Sequence, residues 1–187
     1  MFRKIRNIIN RIEWYGCSKK FKSIGKDSFM GIGFSVNFPE YIVAGDNFKC
    51  GKDVRLQVWP IYHNRSTGYK PQLIIGNDVS LTERCFISCM NRIVIGDGTL
   101  LGSDVFVTDN SHGRNILEEA DTPPGERKLY SKGTVEIGRN VWLGKNACIM
   151  PGVKIGDGCV IGANSVVTHD VPPYSIAAGT PRSYTHR

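Results

Sequence analysis

Hydrophobic residues recur every six positions along most of this 187-residue chain. From residue 137 the sequence reads IGRNVW, LGKNAC, IMPGVK, IGDGCV, IGANSV and VTHDVP, six unbroken hexads that each begin with an aliphatic residue. The same register begins hexads at Ile75, Leu81, Ile87, Ile95, Leu101 and Val107, and in weaker form at Ala44, Cys50 and Leu56. Neither an α-helix nor an alternating strand has this period. The pattern predicts an all-β, three-sided solenoid, a parallel β-helix whose coils contain three short strands each.

The residue that follows each hexad start predicts the chemistry of the corners. Nine of the 15 starts are followed directly by glycine, and we expect this glycine to adopt backbone angles that other residues avoid. The third hexad of every trio has Gln57, Ser88, Thr108, Met150 or Thr168 at this position instead. One corner of the triangular prism is therefore expected to differ chemically from the other two.

Two insertions interrupt the hexads. Extra residues separate Leu56 from Ile75, and a longer loop at 108–136 separates Val107 from Ile137. Long loops in compact domains usually carry a lid or a site. The loop at 108–136 is therefore the first place to look for function.

The N-terminus has a different pattern from the rest of the chain. Residues 1–26 hold eight Lys or Arg residues against one acid, and the apolar residues near the start recur at helical spacing: Phe2, Ile5, Ile8, Ile9 and Ile12. We interpret this segment as a short basic amphipathic helix that caps the open end of the solenoid. The second interpretation is a helix that lies on an anionic membrane surface. The expected domains are this cap at 1–26 and a β-helix at 27–187.

Composition excludes several function classes. Residues 27–187 carry 16 basic and 16 acidic residues, a balance that disfavours nucleic-acid binding. No apolar run reaches the length of a membrane span, and Arg, Lys and Asn interrupt the apolar N-terminal residues, unlike a secretory signal. We expect a soluble, cytoplasmic protein, with peripheral contact at the inner membrane face if the second interpretation of the helix holds. The six cysteines lack metal-ligand spacing, so we expect reduced thiols and no metal.

The hexads, the loop sequence TDNSHG and the closing VVTHDVPPYSIAAGTPRSY together resemble the hexapeptide-repeat acyltransferases. The similarity covers roughly residues 40–184, and within the family it is greatest to the maltose, galactoside and polysaccharide O-acetyltransferases. This resemblance implies a left-handed β-helix, a homotrimer with active sites between subunits, and acetyl-CoA as the co-substrate.

The resemblance also implies roles for individual residues. His112 occupies the position of the catalytic base, and an imidazole of ordinary pKa near 6.5 suits proton removal from a hydroxyl. Asp109, Asn110 and Thr82 are candidates for orienting the base or binding the acceptor, although the first two are equally plausible as turn residues. The residues that match donor-binding positions are Gly102, Trp142, Gly144, Lys145, Ala163, Thr168, His169 and Arg182. Gly102 and Gly144 have a second explanation in corner geometry.

The function implied is acetyl-CoA-dependent O-acetylation of a sugar hydroxyl, on a saccharide or a precursor in cell-surface polysaccharide biosynthesis. Transfer would be direct, without an acyl-enzyme. Two alternatives stay open at this point. The same fold serves N-acetylation of amino sugars and acetylation of antibiotics, and a non-catalytic β-helix would serve as a scaffold.

Overall fold

The computed structural model describes residues 14–114 and 116–180, together with the backbone of 182–186. Three sheets of parallel strands run along the chain as the faces of a triangular prism. Sheet A comprises Ser23–Ile24, Ile42–Ala44, Gln72–Ile75, Arg92–Ile95, Val135–Ile137 and Lys154–Ile155. Sheet B comprises Phe29–Met30, Lys49–Cys50, Ser80–Leu81, Leu100–Leu101, Trp142–Leu143, Val160–Ile161, Ser175–Gly179 and, antiparallel at its end, Arg182–His186. Sheet C comprises Ser35–Val36, Arg55–Val58, Phe86–Cys89, Phe106–Thr108, Cys148–Ile149 and Val166–Val167.

The remaining elements are short. Two antiparallel hairpins project from the prism, Ile61–Tyr62 with Arg65–Ser66 and Ser111–His112 with Leu129–Tyr130. Three 3₁₀ helices span Pro39–Tyr41, Leu117–Glu119 and Pro124–Glu126. Residues 14–18 are α-helical. No helix in the described part of the chain is long and apolar enough to cross a membrane.

Strand register confirms the hexads. Ile75, Ile95, Ile137 and Ile155 pair with one another in successive strands of sheet A, and all four are at most 3% exposed. The first residues of the hexads in sheets B and C pair in successive strands in the same way. The aliphatic first positions therefore form one continuous core along the prism axis.

The glycine after each start has a different role from the one expected. Gly96 is not at a positive φ. The positive φ occurs two residues after the corner glycine, at Gly98, Asp78 and Asn140, with values of 68°, 55° and 54°. A Cβ on Gly96 would lie 2.7 Å from the carbonyl carbon of Gly138 in the next coil. The expectation was wrong because stacked coils leave no room for a side chain there, whereas Asn, Asp and Gly tolerate the left-handed turn.

Replacing Gly96 with alanine is expected to lower the thermal midpoint by several degrees. The added methyl group must push two coils apart, and overpacking of this kind costs about 1–3 kcal/mol. Gly125→Ala is the matched control, because nothing lies within 4 Å of a Cβ at that position. Thermal unfolding followed by circular dichroism makes the comparison, and equal midpoints for the two variants would contradict the stacking argument.

The β-helix begins earlier than expected. Ser23–Ile24 already belongs to sheet A, and it forms an additional coil with Phe29–Met30 and Ser35–Val36. The boundary predicted at 26/27 therefore moves toward the N-terminus. Trp14 packs edge-on against Phe21, with ring centroids 6.0 Å apart, and lies against the buried core. Residues 1–13, which carry most of the predicted amphipathic helix, lie outside the described residues.

Both insertions leave the prism at the corner between sheet C and sheet A, which we call the C–A corner. The first spans the hairpin Ile61–Tyr62 and Arg65–Ser66, and the second spans 109–134 between Thr108 and Val135. The strands that precede them are two coils apart in sheet C, with Phe86–Cys89 between them. The two insertions therefore meet at the chemically distinct corner that the sequence predicts.

Candidate active site

His112 lies at the start of the long insertion. The chain leaves sheet C at Thr108, turns through Asp109 and Asn110, and forms a two-residue strand in which His112 pairs with Leu129. This short antiparallel ladder fixes the backbone of His112 at the mouth of the loop. The imidazole itself is exposed, so it is accessible to a substrate.

Asp109 anchors the turn that leads to His112. Its carboxylate is 0% exposed and accepts hydrogen bonds from the backbone amides of Met90 at 2.7 Å and Asn91 at 2.8 Å. Burial raises the pKa of this carboxyl group. Asn110 adds a bond from its side-chain amide to the carbonyl of Ser88, at 2.9 Å. Of the two roles open to Asp109 and Asn110, this geometry favours the structural one.

Tyr62 approaches His112 from the first insertion. Its hydroxyl oxygen lies 3.4 Å from Nδ1 of His112 and 3.3 Å from the carbonyl oxygen of Gly125. A carbonyl only accepts, so when the hydroxyl donates to Gly125 its oxygen is left to accept from Nδ1–H of His112. In this arrangement Nε2 of His112 carries the free lone pair. Tyr62 was not predicted as a site residue, because the repeat register does not extend into the insertion. The aromatic residues of the insertion are the one signal that points to it.

A cavity of about 470 Å³ opens between the two insertions. Its lining residues are Tyr62, His63, Arg65, Ser66, Thr67, Glu126, Arg127, Lys128 and Leu129. Tyr62 links the cavity to His112 through the contact described above, and Leu129 is the ladder partner of His112. The histidine therefore lies beside a partly open cavity of the size that small ligands occupy.

Several candidate residues lie at another corner, between sheet B and sheet C, which we call the B–C corner. The members of this group are Thr82, Gly102, Gly144, Lys145 and Ala163. A Cβ on Gly144 would lie 2.6 Å from the backbone nitrogen of Ala163, so coil stacking by itself requires this glycine. The Thr82 hydroxyl donates to Ser103 at 3.3 Å, and the Lys145 ammonium lies 3.9 Å from Asp104.

The other donor candidates are spread more widely. Thr168 and His169 lie at the C–A corner, with the threonine Oγ1 2.9 Å from the imidazole Nδ1. Trp142 is 54% exposed on the outer surface of sheet B. The side chain of Arg182 lies outside the described residues. Within one chain, the width of sheet C separates the B–C group from His112, so the structure does not bring all candidates together.

The described part of the chain also contains thiols and other groups that can bind metals. None of the six cysteines forms a disulfide in the structure. Burial raises the pKa of Cys50 and Cys89, and that of Cys85 to about 11, so these thiols stay protonated and pack as apolar groups. Among the side chains that the structure describes, no group of three or more His, Cys, Asp or Glu residues is arranged to hold a metal ion.

Comparison with known sequences gives matches over most of the chain. The family model "Bacterial transferase hexapeptide (six repeats)" matches residues 134–169. WbbJ of Escherichia coli (strain K12), named for lipopolysaccharide biosynthesis O-acetyl transfer, is 33% identical over 160 residues, which are 81% of this chain and 74% of WbbJ. A chloramphenicol acetyltransferase of Morganella morganii is 59% identical over 104 residues, 49% of this chain and 50% of that protein.

A solved structure supplies the fold comparison. A variant of AntD, an N-acyltransferase from Bacillus cereus in complex with dTDP-4-amino-4,6-dideoxyglucose and coenzyme A, superposes with a TM-score of 0.75 over 94% of this chain and 87% of AntD, at 21% identity. This likeness confirms the left-handed parallel β-helix. Together with the hexad register and the extent of the match to WbbJ, it shows that the chain belongs to the hexapeptide-repeat acyltransferase family.

Proposed function

We propose that this protein transfers an acetyl group from acetyl-CoA to a sugar hydroxyl, on a saccharide or a polysaccharide precursor. The observation that carries the proposal is the contact of Tyr62 with Nδ1 of His112, beside the cavity between the insertions. In the proposed tautomer Nδ1–H donates to Tyr62, whose own proton goes to the carbonyl of Gly125, and Nε2 is left as the base. The name of WbbJ, which refers to O-acetyl transfer in lipopolysaccharide biosynthesis, supports a hydroxyl of a cell-surface saccharide as the acceptor.

In the proposed reaction His112 first accepts the proton of the acceptor hydroxyl and then transfers it to the leaving thiolate. Nε2 of His112 takes the proton of the acceptor hydroxyl as that oxygen attacks the thioester carbonyl, and a new C–O bond forms. The C–S bond then breaks, and the imidazolium returns the proton to the departing thiolate of coenzyme A. The products are the acetyl ester and free coenzyme A. No covalent acyl-enzyme is required.

The donor site is proposed to lie between two copies of the chain. Gly102, Gly144, Lys145 and Ala163 at the B–C corner are separated from His112 by sheet C, and a neighbouring prism would bring its own B–C corner to the C–A corner of this one. A homotrimer provides three such grooves. The coenzyme A in the AntD complex supports the choice of donor. Sedimentation equilibrium tests the assembly, and a monomer at micromolar concentration would contradict it.

The second candidate function is acetylation of an amine or of an antibiotic hydroxyl. AntD is an N-acyltransferase on this fold, and the Morganella morganii relative is a chloramphenicol acetyltransferase. Membership of an acyltransferase family favours each of these transferase activities over the interpretation of the protein as a non-catalytic scaffold. Release of coenzyme A thiol is measured with acetyl-CoA and matched sugars, amino sugars and chloramphenicol. Faster turnover of the amines or of chloramphenicol than of every sugar hydroxyl would overturn the proposed acceptor.

Tyr62→Phe is expected to lower kcat about fivefold and to leave the KM for acetyl-CoA unchanged. The variant keeps the ring but removes the oxygen that accepts from Nδ1–H, and a hydrogen bond of this kind contributes about 1 kcal/mol. Tyr69→Phe is the matched control, because Tyr69 lies in the same insertion and its hydroxyl does not contact His112 in the described structure. Steady-state kinetics of both variants provide the test; equal kcat values would show that Tyr62 does not position the base.

A further inference from the structure

We propose that the cavity between the insertions binds an anionic group of the acceptor, a phosphate or a sugar carboxylate, through Arg65, Arg127 and Lys128. This inference rests on the proposed function, since it names the substrate class of the same site. Three cationic side chains line the cavity against one acid, Glu126. We refer to Arg65, Arg127 and Lys128 as the cationic triplet.

The triplet is available to a ligand. Some cations elsewhere on the prism are paired, as Arg84 is with Asp104 at 2.7 Å and Arg139 with Asp157 at 2.9 Å. Among the residues that the structure describes, no carboxylate forms an ion pair with any member of the triplet. Unpaired cations gathered around one cavity create a positive field that attracts an anion.

Arg127 is held in place more firmly than the other two. Its Nε donates to the carbonyl of Thr122 at 2.8 Å, and the side chain is half-buried. Its terminal nitrogens make no hydrogen bond to the described residues, so they are left for a ligand. A guanidinium fixed in this way presents parallel donors that match the oxygens of a phosphate or a carboxylate.

The position of the cavity relates the anion to the chemistry. Tyr62 lines the cavity and touches His112, and Leu129 lines it from the residue opposite His112 in the ladder. Residues directly opposite in an antiparallel pair have Cα atoms about 4.5–5.5 Å apart. An acceptor anchored by its anionic group would therefore place a nearby hydroxyl within reach of Nε2.

Binding of inorganic pyrophosphate, measured by isothermal titration calorimetry on the full chain, tests this inference. The experiment is run on the free protein and on the protein saturated with coenzyme A, whose own phosphates then occupy any donor site. We expect pyrophosphate to bind in both cases. The double substitution Arg65→Gln with Lys128→Gln should weaken that binding about tenfold and leave the affinity for coenzyme A unchanged. Lys70→Gln, an exposed cation of the same insertion outside the cavity, should change neither affinity.

Each of the other outcomes overturns the inference. Absence of pyrophosphate binding to the saturated protein, or binding that the double substitution does not alter, would show that the triplet is not an anion site. Weaker binding of coenzyme A in the double variant would assign the triplet to the donor phosphates. Thermal midpoints of all variants verify folding. The assay needs no turnover, so an anion site without acetyl transfer to any sugar would refute the proposed function alone.

Discussion

Replacement of His112 by alanine is expected to lower kcat for acetyl transfer by about 10²–10⁴-fold, the range that general base catalysis contributes. The variant lacks Nε2, the atom proposed to take the hydroxyl proton. The imidazole is exposed and does not belong to the buried core, so the variant should fold normally. Thiol release at saturating acetyl-CoA and acceptor gives kcat, and the thermal midpoint gives stability.

Two comparisons make the His112 result specific. Glu118→Ala truncates another exposed side chain of the same insertion and should leave kcat unchanged. Binding of coenzyme A to His112→Ala should also be retained, because the proposed donor contacts lie on other residues. A kcat within about threefold of the wild-type value would mean that another group acts as the base, and the proposed mechanism would fail.

Asp109→Ala is expected to cost about 2–4 kcal/mol of stability and to reduce kcat as well. The substitution leaves the amides of Met90 and Asn91 without their acceptor, and a buried amide without a partner costs about 1–3 kcal/mol. In a chain of this size each kcal/mol corresponds to about 2–4 °C in the thermal midpoint. The rate falls because the freed turn no longer holds the backbone of His112. Thermal unfolding and steady-state kinetics measure the two effects.

The Asp109→Asn variant distinguishes the hydrogen bonds that hold the turn from the negative charge of the carboxylate. Asparagine retains one acceptor oxygen, so it should satisfy one of the two amides and recover about half of the lost stability. Asp121→Ala, an exposed carboxylate in the same insertion, should leave the midpoint unchanged. If Asp109→Ala unfolds at the wild-type temperature, the carboxylate is not the anchor of the turn.

The repeat made the prism predictable from the sequence. Each hexad contributes one inward aliphatic residue, and similar hexads stack in register, so Ile95 had to lie between Ile75 and Ile137. The residues that do not fit this register form the two insertions, so the sequence also located both of them. His112 was identified by its place at the end of a third hexad and by the TDNSHG motif.

The sequence by itself determined the period, the faces of the prism, the distinct corner and the candidate base. Only the tertiary structure decided what surrounds that base. Tyr62 and His112 are 50 positions apart and lie in insertions that follow no period, so their contact depends on how two loops pack against each other. The cationic triplet is assembled from the same two loops, and the separation of the donor candidates between two corners depends on the closing of the coil. Periodic burial specifies positions along the chain, whereas side chains in aperiodic loops meet through long-range packing that no local pattern encodes.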